Sequence, residues 1–471
     1  MKSFFKKFIG DKSFYKRVLA ISLPIMLQNA LANFVNTLDN LMVGALGTES
    51  MSGVSIANRF IFIFNLLIFG VMAAGGVFTA QYHGAKNEEG VKNTFKLKLL
   101  LGLLLSSLAI VLFLALDDEL ITAFLHESTD ESISLEQTLA HAKTYLHIYL
   151  IGIIPYVIDQ AYASTSRETG NTVVPMYSAF ISIGTNFIFN ALLIFGICGF
   201  PALGVAGAAI ATVISRFAAF IYNAVVMHVK SGDFYFTRGV YKSFRIPSKL
   251  LYGIAVKGLP IIFNECLWSM AVTMQNQAFS VRGIDVVAAF NISENLVFLL
   301  SVVYMSLNSA IAIIVGAELG AGEIEKGRDT SYKMMAFSFA SAVALCLFMI
   351  ALSPIFPHLY DTTDGVRHLA TELIIIAAIF SPIASLSHSM YFVLRTGGAV
   401  FSTAAMDSGF MWVIAVPAAN LLVHFTPFNI ITIYALARLL EVLKVAFGGF
   451  LISRGTWSKQ LVKPDDSPIA E

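Results

Sequence analysis

Charge is what this sequence lacks. Only 13% of its 471 residues are Asp, Glu, Lys or Arg, against 57% hydrophobic, and the mean hydropathy is +0.74. A water-soluble domain cannot stay in solution on that balance. Cysteine is scarce too: Cys198, Cys266 and Cys346 sit in apolar stretches, with neither metal-ligand spacing nor a disulfide framework. No Gly-rich loop ending in Gly-Lys-Ser/Thr is present, which excludes direct drive by a nucleotide. Neither a His-Glu-x-x-His motif nor a Gly-x-Ser-x-Gly elbow appears, so two common hydrolytic chemistries are missing. A net charge of +1 offers nothing to nucleic acid. The N-terminus is basic, but no short apolar core with a small-residue cleavage site follows it. The first apolar run is therefore expected to be a retained helix, not a signal peptide.

What the chain does have is length of apolar sequence. Val18 to Leu38, Leu97 to Leu116 and Ala336 to Leu352 are near-continuous apolar runs, and a spanning helix needs roughly 20 such residues. A transmembrane barrel would show alternating polarity over about ten residues instead. The pattern predicts twelve spans, near 15–40, 51–82, 95–117, 141–166, 173–196, 203–228, 252–280, 287–316, 332–355, 367–394, 400–424 and 428–452. With the N-terminus placed inside, the inner side collects Lys2, Lys6, Lys7, Lys12, Lys16 and Arg17. It also collects Lys86, Lys92, Lys96, Lys98, and then the run from Lys230 to Lys257. The outer loops hold only Lys143, Arg282 and Arg367, and the loop from Asp117 to Glu136 is rich in acids. This asymmetry predicts both termini in the cytoplasm.

The sequence also repeats itself. One constant offset carries Leu23-Pro24-Ile25 onto Leu259-Pro260-Ile261, Asn40 onto Asn276, and Gly84-Ala85 onto Gly320-Ala321. An even number of spans separates the copies, so the halves share one orientation about an axis along the membrane normal. The expected fold is an all-α polytopic membrane protein. Its twelve transmembrane helices form two six-helix lobes related by a pseudo-two-fold axis, residues 1–228 and 251–471, joined by a cytoplasmic linker at 229–250.

Polar groups at membrane depth are costly and need a reason. Asn29, Asn33, Asn36 and Asn40 step by four, three and four and form one stripe on span one, with Asp39 beside it. Span seven carries Asn264, Glu265, Gln275, Asn276 and Gln277. Two such ladders, each with one carboxylate, suit a cavity for cations. The alternative is that the amides glue helices together by hydrogen bonds. Asp159 and Gln160 lie between Tyr156 and Tyr162, an arrangement able to hold an organic cation by charge and aromatic faces. The competing reading pairs Asp159 with Arg167 on the same helix. Asn186 and Asn190 share a face of span five, and Trp268 lies on the face of Glu265. Arg438 with Glu441, the lone His388, and the glycines Gly70, Gly75 and Gly76 read most simply as structural.

In order along the chain, several loose motifs become specific. They are Pro24, the segment Leu38-Asp39-Asn40-Leu41-Met42-Val43-Gly44, Gln81-Tyr82-His83-Gly84, Arg167 to Thr172, and Gly204 to Ala209 followed by Ser215-Arg216. Together they resemble the multidrug and toxic compound extrusion family, MATE, over about residues 15 to 452. The resemblance implies two lobes around a central cavity that opens alternately to each side. It implies export of cationic, often aromatic compounds in exchange for protons or sodium ions. Asp39 falls on the family's first-span carboxylate, and Asn190 falls where some branches carry an aspartate. Glu265 stands three residues closer to its proline than the seventh-span glutamate of other branches. Ala384 and Ser385 stand where a sodium-coupled branch has a tenth-span aspartate.

The expectation is an antiporter in the plasma membrane, multi-pass and monomeric, and not an enzyme. It needs no cofactor beyond a coupling proton or sodium ion; Asp39 and Glu265 are the ion-coupling candidates, with Asp39 the place for sodium. Asn29, Asn33, Asn36, Asp159, Asn190, Asn264, Trp268 and Gln275 are the candidates for holding a small cationic substrate. The close alternative is a lipid-linked oligosaccharide flippase of the same superfamily, whose cavity should be strongly cationic; here acids and amides predominate. An intramembrane enzyme lacks its nucleophile–base pair or paired aspartates, and a channel fits the two-half repeat less well than a carrier does.

Overall fold

The structure is a computed structural model that describes residues 7–122, 134–243 and 245–462, without the side chains of Asn36 and Thr37. Lys2, Lys6, Asn36 as a site candidate, and most of the acid-rich loop lie outside the described residues. Among the described residues every regular element is helical.

In chain order, α1 is Lys12–Gly44, α2 Thr48–Gly84, α3 Glu88–Ala115, α4 Asp117–Thr122, α5 Leu135–Ile151, α6 Ile153–Glu168, α7 Val173–Phe195 and α8 Gly204–Val229. Then come α9 Ser248–Ser280, α10 Ile284–Gly320, α11 Ile324–Leu352, α12 Asp364–Thr396, α13 Val400–Phe425, α14 Ile430–Leu439 and α15 Glu441–Ser453. Among the described residues ten of these are long and apolar enough to cross a membrane, and α5 with α6 makes an eleventh span, bent by 50°. The bend falls at Gly152, and Pro155 lies in the first turn of the next helix. The last expected span is divided at Leu440 into α14 and α15, each too short to cross alone.

The helices outrun the apolar cores that predict them because their ends are polar and capped. The Ser134, Thr363 and Asn429 side chains accept hydrogen bonds from the backbone N–H of Gln137, Val366 and Thr432. Glu88, Glu89 and Asp364 sit in first turns, where the helix dipole favours an acid. Pro24, Pro260 and Pro382 lie inside their helices, which a membrane bundle tolerates where neighbouring groups re-satisfy the backbone that proline frees.

The chain divides into two compact units. One comprises Met1–Met26, Ala80–Asn87 and Gly253–Ser467. Its first core joins Phe279, Phe290, Leu373, Ile433 and Tyr434, and its second joins Val18 to Ile311, Ile314, Leu319, Tyr391, Leu394 and Trp457. In this unit the end of α2 crosses the end of α10 with backbone touching backbone. A Cβ on Gly84 would strike the Ala317 carbonyl, and one on Gly320 would strike the Gln81 carbonyl. The offset that relates the two sequence copies also relates these two contacts, so the repeat is expressed as a reciprocal packing. Gln81, fully buried, binds the segment that follows α15: its amide donates to the carbonyls of Thr396 and Lys459, each at 3.2 Å, and it accepts from Leu461 N at 2.7 Å. Gly84→Ala and Gly320→Ala should each cost about 1–3 kcal/mol of stability, the usual penalty for overpacking. Gly184 meets nothing within 4 Å, so Gly184→Ala should leave thermal unfolding in detergent unchanged; equal melting shifts for all three would refute the crossing.

The other unit comprises Leu27–Thr79 and Glu88–Tyr252. Its α3 and α6 are tied by a buried ion pair, Lys98 with Glu168, and Lys98 also donates to Ser164 and Thr165 hydroxyls at 3.3 Å. Gly75 and Gly76 on α2 leave the room that these side chains occupy. The two glycines are thus packing positions in a precise sense: each presses on one member of the pair.

Candidate functional site

Each unit holds a cavity lined by polar side chains of the helices long and apolar enough to cross a membrane. The first, of about 380 Å³, opens among α1, α2, α6, α7 and α8. Asn29, Asp39, Asp159, Gln160, Asn186 and Arg216 line it. Asp39 accepts a hydrogen bond from the Asn190 amide, which is 1% exposed and stands behind the cavity wall. The Asn186 amide, oriented with its nitrogen toward the carboxylate, donates to the two Asp39 oxygens at 2.8 and 3.3 Å. Two turns of α7 thus supply neutral donors to one carboxylate on α1.

Asp159 is held in a similar way. It accepts from Asn223 Nδ2 at 2.7 Å, from Ser178 Oγ at 3.4 Å and from Gln160 Nε2 at 3.4 Å. Arg167 does not pair with it, contrary to the helix-stabilising reading; its guanidinium donates to Gln28 Oε1 at 3.5 Å. Arg216 is occupied by Tyr149, whose hydroxyl and ring it contacts, and it stacks on Tyr156 at 4.6 Å. Among the described residues no lysine, arginine or histidine lies within ion-pair distance of Asp39 or Asp159.

The second cavity, of about 460 Å³, is lined among others by Trp268, Gln275, Glu294, Tyr304, His388 and Lys444. Its charges are largely matched. Lys444 pairs with Asp407 at 2.7 Å, and Arg438 pairs with Glu441 at 2.8 Å while bonding the Tyr434 hydroxyl at 2.7 Å. Glu294 accepts from Asn276 at 3.0 Å. His388 Nδ1 donates to the Ala384 carbonyl, 2.9 Å away, as a hydrogen-bonded packing residue would.

The sequence candidates therefore separate. Asn29, Asp39 and Asp159 meet at one cavity with Asn190 behind them; Trp268 and Gln275 meet at the other. Asn33 is half-buried and lies off the lining of the first cavity. Glu265 is off the second lining: it accepts from the Tyr391 hydroxyl at 2.5 Å and pairs with Arg395 at 3.5 Å. Asn264 likewise serves a buried pair, donating to Asp407 at 3.0 Å and accepting from Ser408 N at 3.2 Å. Asp407 and Lys444 are the residues that the sequence reading missed. Their signal was present, since Asp407 is an isolated charge in an apolar stretch, Lys444 lies in another such stretch three residues after Glu441, and such charges pair in membranes. Asp407 sits where α13 loosens into two π-helical turns, Ala405–Gly409 and Met411–Ala415, ahead of Pro417; π-turns are frequent at functional positions.

This architecture defines a class: a polytopic, all-helical membrane protein with charged cavities enclosed by its spans and, among the described residues, no group of acids, histidines and cysteines able to hold a metal ion. The sequence pattern of the MatE family matches residues 24–192 and 260–420, and the chain belongs to that family. It is 28% identical over 417 residues to a probable multidrug resistance protein NorM of Halalkalibacterium halodurans, covering 88% of each chain. It is 22% identical to the probable multidrug resistance protein YoeA of Bacillus subtilis, covering 90% of each. Among solved structures, a Vibrio cholerae MATE transporter, VcmN, in a variant form, superposes with a TM-score of 0.85 at 18% identity, covering 95% of this chain and 98% of that one. A multidrug resistance MATE family transporter in an outward-facing conformation gives 0.82 at 19%, with the same coverages. These last two are likenesses of fold.

Proposed function

We propose that the protein exports cationic, often aromatic compounds across the plasma membrane in exchange for protons or sodium ions, by alternating access of two six-helix lobes, residues 1–228 and 251–471, with both termini and the 229–250 linker inside. The observation that carries this reading is Asp39: a carboxylate lining a cavity among the spans, held among the described residues by amides alone. Burying such a charge without a basic partner is costly, so a mobile cation must accompany it. A proton, a sodium ion or a cationic compound can each do so, and competition for one negative charge makes the exchange obligatory. Each ligand moves the alternation only by its differential affinity for the two states.

The same criterion gives Glu265 another part. Arg395 already neutralises it, which supports a role in positioning α9 against α12 over a role in carrying the coupling ion. The mixed charges of the second cavity do not suit a diphosphate, which weighs against a flippase of lipid-linked sugars. The test is ethidium efflux from cells lacking their own exporters: the whole protein should lower steady-state ethidium several-fold, and collapse of the ion gradients should restore it. Unchanged ethidium with well-expressed protein would overturn the proposal.

A further inference from the structure

Most charged side chains buried in this protein are matched. Glu168 has Lys98, Glu265 has Arg395, Asp407 has Lys444, Glu441 has Arg438 and Glu318 has Arg17. Two carboxylates lining one cavity break that rule, and they break it in the same manner. Asp39 is held by the amide nitrogen of Asn190, and Asp159 by the amide nitrogen of Asn223. In both asparagines the carbonyl oxygen, Oδ1, is buried and has no partner. Asn223 is wholly buried. A buried acceptor left unsatisfied is costly, and here each one belongs to an asparagine bound to an acid that has no ion-pair partner.

We propose that Asp159 and Asn223 form a second site for a monovalent cation, proton or sodium, so that the cavity bearing Asp39 carries two positive charges per cycle. The inference rests on the coupling role of Asp39 argued above and assigns a stoichiometry to it. The chemistry of the donor set suits either cation. An acid proton on Asp159 is donated to the free Asn223 oxygen; a sodium ion takes that oxygen, the carboxylate and the Ser178 hydroxyl as hard ligands. The surroundings supply no ion pair, and Arg167 and Arg216 act on Asp159 only from beyond ion-pair distance. On α6 itself, Arg167 turns to Gln28 and Tyr156 is neutral. From α8, Arg216 is held by Tyr149 and Tyr156, and from α7 only the Ser178 hydroxyl reaches Asp159.

Two measurements test this. In proteoliposomes clamped at zero membrane potential, the equilibrium ethidium ratio should rise with the ion ratio raised to the number of ions exchanged. Wild type should give a logarithmic slope of two, and Asp159→Asn a slope of one. A wild-type slope of one, or a slope of two in both, overturns the second site. The other measurement needs only the folded wild-type protein and no transport: labelling with a hydrophobic carbodiimide, which attacks protonated buried carboxyls, read by peptide mass spectrometry. Asp39 and Asp159 should both be modified, while Glu168, Glu265 and Asp407 are spared. Protection by sodium and not by potassium identifies sodium; protection only by raising the pH identifies the proton. Modification of Asp39 with none at Asp159 overturns the proposal while leaving the role of Asp39 intact, and absence of export by unlabelled wild-type protein whose two carboxyls both react sinks the transport reading alone.

Discussion

Asp39→Asn is expected to reach the membrane in normal amount and to lose ion-driven export almost entirely. The amide keeps the size of the side chain and its hydrogen bonds to Asn190 and Asn186, so the local packing of α1 on α7 survives. What disappears is the negative charge for which the coupling ion and the substrate compete. A charge-assisted hydrogen bond is worth about 1.5–3 kcal/mol, roughly ten- to hundredfold in the affinity of either cation. With the charge gone from both half-cycles, exchange is no longer obligatory, and a small residual leak is all that remains. Wild-type efflux by Asp39→Asn protein, at equal expression and melting temperature, would remove Asp39 from the coupling scheme.

A second large effect is expected in stability. Lys444→Met leaves Asp407 buried without its cation, and breaking a buried pair from one side costs about 3–5 kcal/mol. Both side chains are largely buried, 9% and 12% exposed, so water repays little. The double variant Lys444→Met/Asp407→Leu removes both charges and should recover most of the loss, short of what the orphaned Asn264 amide costs. A double-mutant cycle on melting in detergent reads the coupling directly. Additive losses would mean that the two charges do not depend on each other.

The two acids at issue show what the sequence discloses and what it withholds. Apolar runs expose the spans, and the charge of the loops argues for their orientation, because the bilayer imposes both from outside the fold. Asp39 stands out for the same reason, as a lone acid in an apolar run. Its partners do not stand out: Asn186 and Asn190 are two of many membrane amides, and only the packing of α7 against α1 aims them at the carboxylate. Asp159 reads from sequence either as an acid for an organic cation or as the partner of Arg167 two turns away, yet the helix points that guanidinium at Gln28 and Asn223, on another helix, binds the acid. Glu265 looks like Asp39 in sequence and differs in space, because Arg395 comes to it from α12. The break at Gly152 had a visible cue in Gly152 and Pro155; the division at Leu440 had none, being flanked by Leu439 and Glu441. Side-chain pairing across helices is a product of packing, and one sequence carries little direct record of it.

The central claim is that an ion gradient drives export, and its most direct test is efflux in inverted membrane vesicles with sodium and proton gradients imposed separately at constant membrane potential. The account predicts that one of the two gradients drives ethidium uptake into wild-type vesicles and that the same gradient fails with Asp39→Asn. Uptake that proceeds equally with neither gradient, or that Asp39→Asn leaves intact, would contradict it.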